Sequence, residues 1–514
     1  MNLSKLLDSN CEKFGEYVSI IWLPDPNREI KITNIDMLRE VNRLGSALLS
    51  LGVKRGDKIS VLLPNSPEVI ATYRAAWRIG AVAVPIIFLL SEREVRYILE
   101  NSESVAIVTH SEFYEKVSNA AKGLDNLKNI ILIDKPQEGA HYYHDLIEKS
   151  RDEVDPVDTA DDEMAVVLYT AGTTGKPKGV MLSHWNLYSN AKSSFKQSYF
   201  PDVEDVRSKT SLFVLPLCHS FGLTVCNLSA FVGNMGVMVP KFDPNVVLGA
   251  IEKYKVKTMA GVPAMYSYFL VAPEADKYDL SSMESWASGS APLSVNVIKN
   301  FEKKFGGTIY EGYGLSEASP VVAVHMRNRP TKPGSVGIPI PGVEVKILDV
   351  KGHELGTNQI GELVVRGENV MQGYYKMPEK TADVIRNGWL HTGDMAHIDE
   401  DGYLFISERK DDMIIRGGEN IYPRELEEVL WSHPDILEVA VVGIPDPIMG
   451  EEAVAVVVLH KQRTITEQEV IEFCKGKIAK FKLPKAVVFM DSLPRSSIGK
   501  ILKKNLRKDV LDLL

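Results

Sequence analysis

The stretch YTAGTTGKPKGV, Tyr169 to Val180, packs three glycines, three threonines and two lysines into twelve residues. Glycines let a backbone turn tightly and approach a ligand closely. Hydroxyls and amides donate hydrogen bonds to phosphate oxygens, and lysines add positive charge. That composition suits a polyphosphate cradle at the end of an apolar strand. It is not the G-x-x-x-x-G-K-[ST] loop, because Gly172 and Gly175 are only three apart and Lys176 precedes Pro177. No G-x-G-x-x-G lies nearby, so a dinucleotide fold has no support.

Four further segments carry chemistry-bearing residues in order: YEGYGLSEASP (310–320), HTGD (391–394), ERKDDMIIRGGENIYPRELEE (408–428) and PRSSIGKILKK (494–504). With the Gly-rich loop, they make the chain similar to the adenylate-forming superfamily: acyl-CoA synthetases, luciferases and the adenylation domains of peptide synthetases. The resemblance covers essentially the whole chain. It implies an AMP-forming carboxylate–CoA ligase that uses ATP, Mg²⁺ and coenzyme A. An acid attacks the α-phosphorus of ATP, pyrophosphate leaves, and the acyl group then passes to the CoA thiol. Charge accumulates on phosphate oxygens, so positioning and electrostatic stabilisation carry the first step.

The same resemblance assigns roles. Thr170, Thr173, Thr174, Lys176 and Lys178 would hold the β and γ phosphates. Ser316 and Glu317 stand where the family has Thr-Glu; Ser316 keeps the hydroxyl donor, and Glu317 would bind Mg²⁺, a hard ion that prefers carboxylate and phosphate oxygens. Tyr313 would stack on adenine, with Glu311 and Gly312 beside it and Gly289, Ser290, Ala291 and Pro292 as the other wall. Asp394 and Arg409 match the ribose pair, a carboxylate that accepts and a guanidinium that donates. Lys500 matches the lysine that bridges carboxylate and phosphate. Asp411 aligns with a pivot about which the C-terminal domain swings between the two half-reactions. Gly417, Gly418 and Glu419 would then border the tunnel for CoA. Glu408 departs from the pattern, standing where the family usually has Gly.

These residues need a frame. Lys58 to Leu63, Ala81 to Pro85 and Ser104 to Thr109 read as buried strands. Pro67 to Ile79 reads as a helix with Pro at its start, and Ser91 to Glu94 is a capping box. Strand, helix, strand at this spacing implies parallel pairing. Met164 to Tyr169, Ser211 to Leu215, Gly236 to Pro240 and Lys257 to Val262 continue the pattern. Beyond it, Leu437 to Ile444, Glu451 to His460 and Lys485 to Met490 read as strands and Thr466 to Ala479 as a helix. The expected fold class is α/β. A large N-terminal domain of sheets with packed helices (1–410) precedes a small mobile α+β C-terminal domain (411–514).

The acid is less legible. The resemblance lines its pocket from 217–226, from 262–270 and around Gly314 and Ser319 to Val322. His219 falls near the substrate carboxylate or is a satisfied loop histidine. Leu315 stands where acetate-specific relatives carry Trp, and Gly222, Cys226 and Gly289 are small. A medium- or long-chain fatty acid is the first expectation, an aromatic or alicyclic acid the alternative.

The 514-residue chain is 45% hydrophobic and 25% charged, long enough for more than one core. Its net charge of −9 argues against a nucleic-acid partner. The local basic run Lys500, Lys503, Lys504, Arg507, Lys508 reads as a solvated helix face or a contact for an anionic ligand. Four scattered cysteines with no C-x-x-C fit a reducing, cytoplasmic setting. The longest apolar run, Ala81 to Leu90, is about half a membrane span, so no integral membrane segment is expected. The partners expected are the small-molecule acid, ATP and CoA, for a monomer or homodimer. A rival class, a non-catalytic adenylate-binding regulatory protein, would be favoured by loss of Lys500, Glu317 or the phosphate loop; all are present.

Overall fold

A computed structural model describes residues 2–170, 177–198, 207–495 and 501–513. Strands β1 (Lys58–Leu62), β2 (Val82–Pro85), β3 (Ser104–Thr109) and β4 (Asn129–Leu132) lie parallel within an eight-stranded sheet. Strand β5 (Met164–Thr170) joins parallel to β2, and β6 (Lys178–Ser183) folds back antiparallel on β5. Ile59, Ala83, Ala106 and Val166 enter one core; Leu62, Val84, Ile107 and Val167 enter another on the opposite face. Both faces are covered, so these strands read as continuous apolar runs. The expected capping box forms: Ser91 Oγ accepts from Glu94 N at 3.4 Å, and the Glu94 carboxylate accepts from Ser91 N at 2.9 Å.

Helix α1 (His184–Ser198) leads towards a nine-stranded second sheet built from β7 (Ser211–Phe213), β8 (Gly236–Met238), β9 (Thr258–Gly261), β10 (Ser285–Ser288), β11 (Thr308–Gly314) and β12 (Val321–Val324), among others. Helix α2 (Ser220–Val232) connects β7 to β8. The strands run parallel from β8 through β7, β9 and β10 to β11, and β12 closes antiparallel on β11. Trp286, Tyr266 and Phe301 pack edge to face behind this sheet, with centroids 4.9 Å and 5.1 Å apart.

A third sheet was not foreseen in the sequence. Strands β13 (Val343–Leu348), β14 (Gly361–Gly367), β15 (Trp389–Ile398) and β16 (Leu404–Arg409) pair antiparallel. Burial alternates along most of β15, so only one face meets the core.

From Ile414 onward a separate sheet forms. It comprises β17 (Ile414–Arg416), β18 (Glu419–Ile421), β19 (Ile436–Asp446), β20 (Gly450–Leu459) and β21 (Ala486–Phe489). Helices α3 (Pro423–Trp431) and α4 (Glu467–Cys474) pack on one face and α5 (Lys503–Leu513) on the other. Helix α4 stops at Cys474 rather than Ala479, because Gly476 takes φ +75°. Among the described residues no helix is long and apolar enough to cross a membrane.

Candidate active site

Thr170 and Lys178 face each other across the end of the β5–β6 pair. Thr173, Thr174 and Lys176 lie outside the described residues. The Lys178 ammonium stands 4.9 Å from the Tyr374 ring centroid, and the Tyr374 hydroxyl donates to Glu317 Oε1 at 2.9 Å. Tyr374 therefore joins the hairpin to the carboxylate. The sequence did not single it out; a Tyr-Tyr pair after Gly373 was its only signal. Gly373 and Tyr374 pair with Met181 and Val180, which seats the ring beside the hairpin. Burial and the Glu317 charge push the Tyr374 phenol up. Ser316 Oγ lies 3.3 Å from Ser220 Oγ at the start of α2.

Asp394 on β15 and Arg409 on β16 are direct cross-strand partners. Arg409 Nε meets Asp394 Oδ1 at 2.9 Å, and Tyr313 donates its hydroxyl to Asp394 Oδ2. The Asp394 side chain is 6% exposed and the Arg409 side chain 53%, so the guanidinium retains an open edge. The Asp394 charge raises Arg409, and burial followed by Asp394 pushes Tyr313 well above the usual phenol range.

The loop after β10 carries Gly289, Ser290, Ala291 and Pro292, with Ser290 at φ +73°. A Cβ on Gly314 would meet Pro320 O at 2.3 Å, so glycine is required where β11 turns towards Ser316. Glu311 is buried and its carboxyl is pushed up to about 7 by desolvation, with Arg424 opposing. Its Oε1 accepts from Leu293 N at 3.4 Å.

Pro292, Glu311, Gly312, Tyr313, Asp394 and Arg409 line one cleft, and Arg424, Glu427, Arg495 and Lys503 line it from beyond residue 413. Lys500 lies outside the described residues; Arg495 and Ile501, on either side of it in the chain, both border this cleft. Asp411 is exposed in the turn Lys410–Asp412, and its carbonyl accepts from Arg507 at 3.2 Å. Gly417 and Gly418 form the β17–β18 turn at φ +58° and +87°, with exposed Glu419 next; none of the three lines the cleft.

Two readings of side chains change. The basic run is not simply a solvated face. Lys503 is enclosed, 3.1 Å from Glu408 and 3.0 Å from Glu427, and Arg507 pairs with Asp412 at 3.4 Å. Burial alone would lower the ammonium, but Glu427 and Glu408 outweigh it and raise Lys503. Glu408, the residue out of pattern, thus has a partner. The segment 262–270 also moves: Val262, Pro263, Ala264 and Ser267 line the cleft, not the apolar cavity beside it.

That cavity starts at Ser316, Gly314, His219 and Gly289 and runs between α2 and the second sheet. Phe221, Val225, Leu228 and Val232 form its helix wall, at the spacing of one helical face. Ala260, Ala287 and Gly312 form its sheet wall, with Ala260 and Ala287 in register across β9 and β10. Gly222 does not widen it; a Cβ there would meet Pro216 O at 2.2 Å. His219 caps α2, its Nδ1 accepting from Phe221 N at 3.4 Å, and also lines the cavity.

Residues 7–375 match the family model described as AMP-binding enzyme, and residues 425–500 match AMP-binding enzyme C-terminal domain. The chain is 38% identical to a long-chain-fatty-acid–CoA ligase of Bacillus subtilis (strain 168), over 99% of this chain and 94% of that one. It is 35% identical to a feruloyl-CoA synthase of an Amycolatopsis species, over 93% and 94%. The crystal structure of ATP-bound MatB from Rhodopseudomonas palustris superposes with a TM-score of 0.91 at 31% identity, covering 100% of both chains.

Proposed function

The chain belongs to the AMP-binding enzyme family and is an AMP-forming acid–thiol ligase acting on ATP, CoA and a carboxylic acid, and on that premise we propose that the acid is a medium- or long-chain fatty acid. The cavity carries this reading. Its helix wall runs from Phe221 to Val232; eleven steps at the helical rise span about 16 Å. Small side chains on the facing sheet leave that length open. The fatty-acid name of the Bacillus relative supports it. The feruloyl-CoA synthase at similar identity keeps an aromatic acid as the second reading.

The proposed roles follow the family resemblance. Thr170, Thr173, Thr174, Lys176 and Lys178 hold the outer phosphates, and Ser316 donates to the α-phosphate. Tyr313, Glu311, Gly312 and the 289–292 loop form the adenine slot. Arg409, with Asp394 fixed behind it, meets the ribose hydroxyls. Lys500 bridges the substrate carboxylate and the α-phosphate while the carboxylate oxygen bonds to phosphorus and pyrophosphate departs. CoA sulfur then bonds to the acyl carbon, and AMP leaves with the C–O electron pair. The small domain, from 411 onward, swings about Asp411 between these steps, and Gly417, Gly418 and Glu419 come to border the CoA arm.

Mg²⁺ fits Glu317. Among the described residues no group of three or more His, Cys, Asp or Glu could hold a metal. One carboxylate beside the phosphate hairpin suits an ion that keeps most of its shell as water and phosphate oxygen. There it would neutralise phosphate charge.

The test is pyrophosphate release with ATP, Mg²⁺ and acids from acetate to palmitate, plus benzoate and cyclohexanecarboxylate, with and without CoA. Rates should rise with chain length beyond acetate. Release only with aromatic acids would overturn the fatty-acid reading, and no release with any acid would overturn the roles.

A further inference from the structure

The stretch 369–375 is bonded to two separate parts of the proposed ATP site. On one side it adds to the β5–β6 hairpin. Gly373 and Tyr374 pair with Met181 and Val180, and Gln372 N and Tyr375 N donate to Met181 O and Gly179 O at 3.0 and 2.7 Å. On the other side it holds the turn Ser316–Ala318. Met371 N donates to Glu317 O at 2.8 Å, and Asn369 Nδ2 donates to Ala318 O at 2.9 Å. Most of these are backbone bonds, which a change of side chain at Tyr374 leaves in place.

Tyr374 is the side chain that uses this placement. It is 6% exposed, and its N donates to Thr381 Oγ1 at 2.8 Å. A Cβ on Gly373 would meet Thr381 Cγ2 at 2.7 Å, so the backbone leading into the ring packs with no room to shift. The hydroxyl gives its one proton to Glu317 Oε1 at 2.9 Å, and the ring face carries the Lys178 ammonium 4.9 Å from its centroid. The ring quadrupole attracts a cation placed there. One side chain thus touches the carboxylate with its edge and the ammonium with its face. Burial and the Glu317 charge raise the phenol, so the hydroxyl keeps its proton and remains a donor.

An ionised carboxylate only accepts, at two oxygens. A donor on Oε1 restrains the rotation of the group and leaves Oε2 for another partner. Mg²⁺ tolerates little departure from octahedral geometry. A carboxylate aimed in advance therefore binds it with less left to order. The same holds for the long Lys178 stem, which loses rotamer freedom when its ammonium is pinned.

Resting on the roles proposed above for Glu317 and Lys178, we infer that Tyr374 is a positioning residue for the adenylation step, its hydroxyl holding the carboxylate that takes Mg²⁺ and its ring face holding the ammonium that takes the outer phosphates. It touches no reacting atom itself.

The experiment is calorimetric titration of ATP, without acid, into the wild type, Tyr374→Phe, Tyr374→Leu and Glu317→Gln, each with Mg²⁺ and with EDTA. The ratio of the two dissociation constants reads the metal's contribution, and an unfolded fraction cancels from it. Tyr374→Phe keeps the ring and loses the hydroxyl. Its Mg²⁺ advantage should fall about tenfold, the worth of one hydrogen bond to a charged group, while its metal-free affinity stays within about twofold. Tyr374→Leu should also lose about threefold in metal-free affinity, the worth of a cation–π contact. In a Glu317→Gln background, Tyr374→Phe should change the ratio no further. A wild-type ratio in Tyr374→Phe, equal losses there with and without metal, or a full further effect in the Glu317→Gln background overturns the inference. Unchanged metal-free affinity in Tyr374→Leu overturns the part given to the ring. A wild-type ratio in Glu317→Gln overturns instead the metal role on which the inference rests.

Discussion

Glu408→Gln is expected to slow the first half-reaction and spare the second. Glu408 is the penultimate residue of β16 in the third sheet, whereas Lys503 opens α5 beyond residue 500. Their 3.1 Å contact ties the two parts of the chain together, with Glu427 of α3 as the second anion at 3.0 Å. The side chains are 15%, 10% and 9% exposed, so water screens them little. Stripping a buried ion of its partner costs about 3–5 kcal/mol. Glutamine keeps the volume and a weaker acceptor, and Glu427 still neutralises Lys503. Roughly half of that range, ~2 kcal/mol, then remains, or about thirtyfold in an equilibrium.

The direction comes from the cleft. Arg495 and Ile501, flanking Lys500 in the chain, border the same space as Asp394 and Arg409. That is the arrangement proposed for adenylation, so loosening the Glu408 contact should lower its population. Pyrophosphate release with acid and ATP, without CoA, should fall about tenfold or more. Thioester formation from supplied acyl-adenylate and CoA should hold or rise. Equal losses in both assays, or none in the first, would refute the reasoning, because the contact would then be structural in both arrangements or irrelevant to either.

Three other outcomes are expected. With the guanidinium proposed as the donor at the ribose, Arg409→Ala should raise KM for ATP about tenfold or more and abolish discrimination between ATP and its 2′,3′-dideoxy analogue; retained discrimination would assign the hydroxyls elsewhere. Asp411→Pro should impair thioester formation more than pyrophosphate release, and equal losses would count against a pivot there. Glu311 keeps a proton in the folded state up to about pH 7 that the unfolded chain loses near the ordinary 4.5 of a glutamate. Stability should therefore decline as pH rises through that window. Glu311→Gln, which needs no proton, should gain up to about 3 kcal/mol over wild type by pH 8, read as a widening Tm gap from pH 5; parallel Tm curves would exclude it.

What could be read from the sequence divides by the range of the interaction. The first sheet was legible because both faces of each strand are buried and the helix starts carry local capping chemistry, as at Ser91 and Glu94. The Asp394–Arg409 pair was legible as two motifs, and β15 and β16 make them neighbours. The antiparallel third sheet escaped notice because strands buried on one face leave only a period of two, which the sequence reading folded into the α/β portion. Tyr374 lies 57 residues from the carboxylate it bonds, and nothing beside it in the chain announces that partner.

Lys503 shows the same limit most sharply. In sequence it stands among lysines and an arginine, and local composition assigns it to solvent or to a bound anion. Its anions are the protein's own, one 95 residues away on another sheet. Glu408 looked like a departure from pattern for the complementary reason, since a carboxylate at that place has no evident purpose until the ammonium arrives. A buried ion of either sign is costly alone. The three residues therefore make sense only as a cluster: Glu408→Gly alone should destabilise the chain, and adding Lys503→Met should deepen the loss, because Glu427 is then buried without its ammonium.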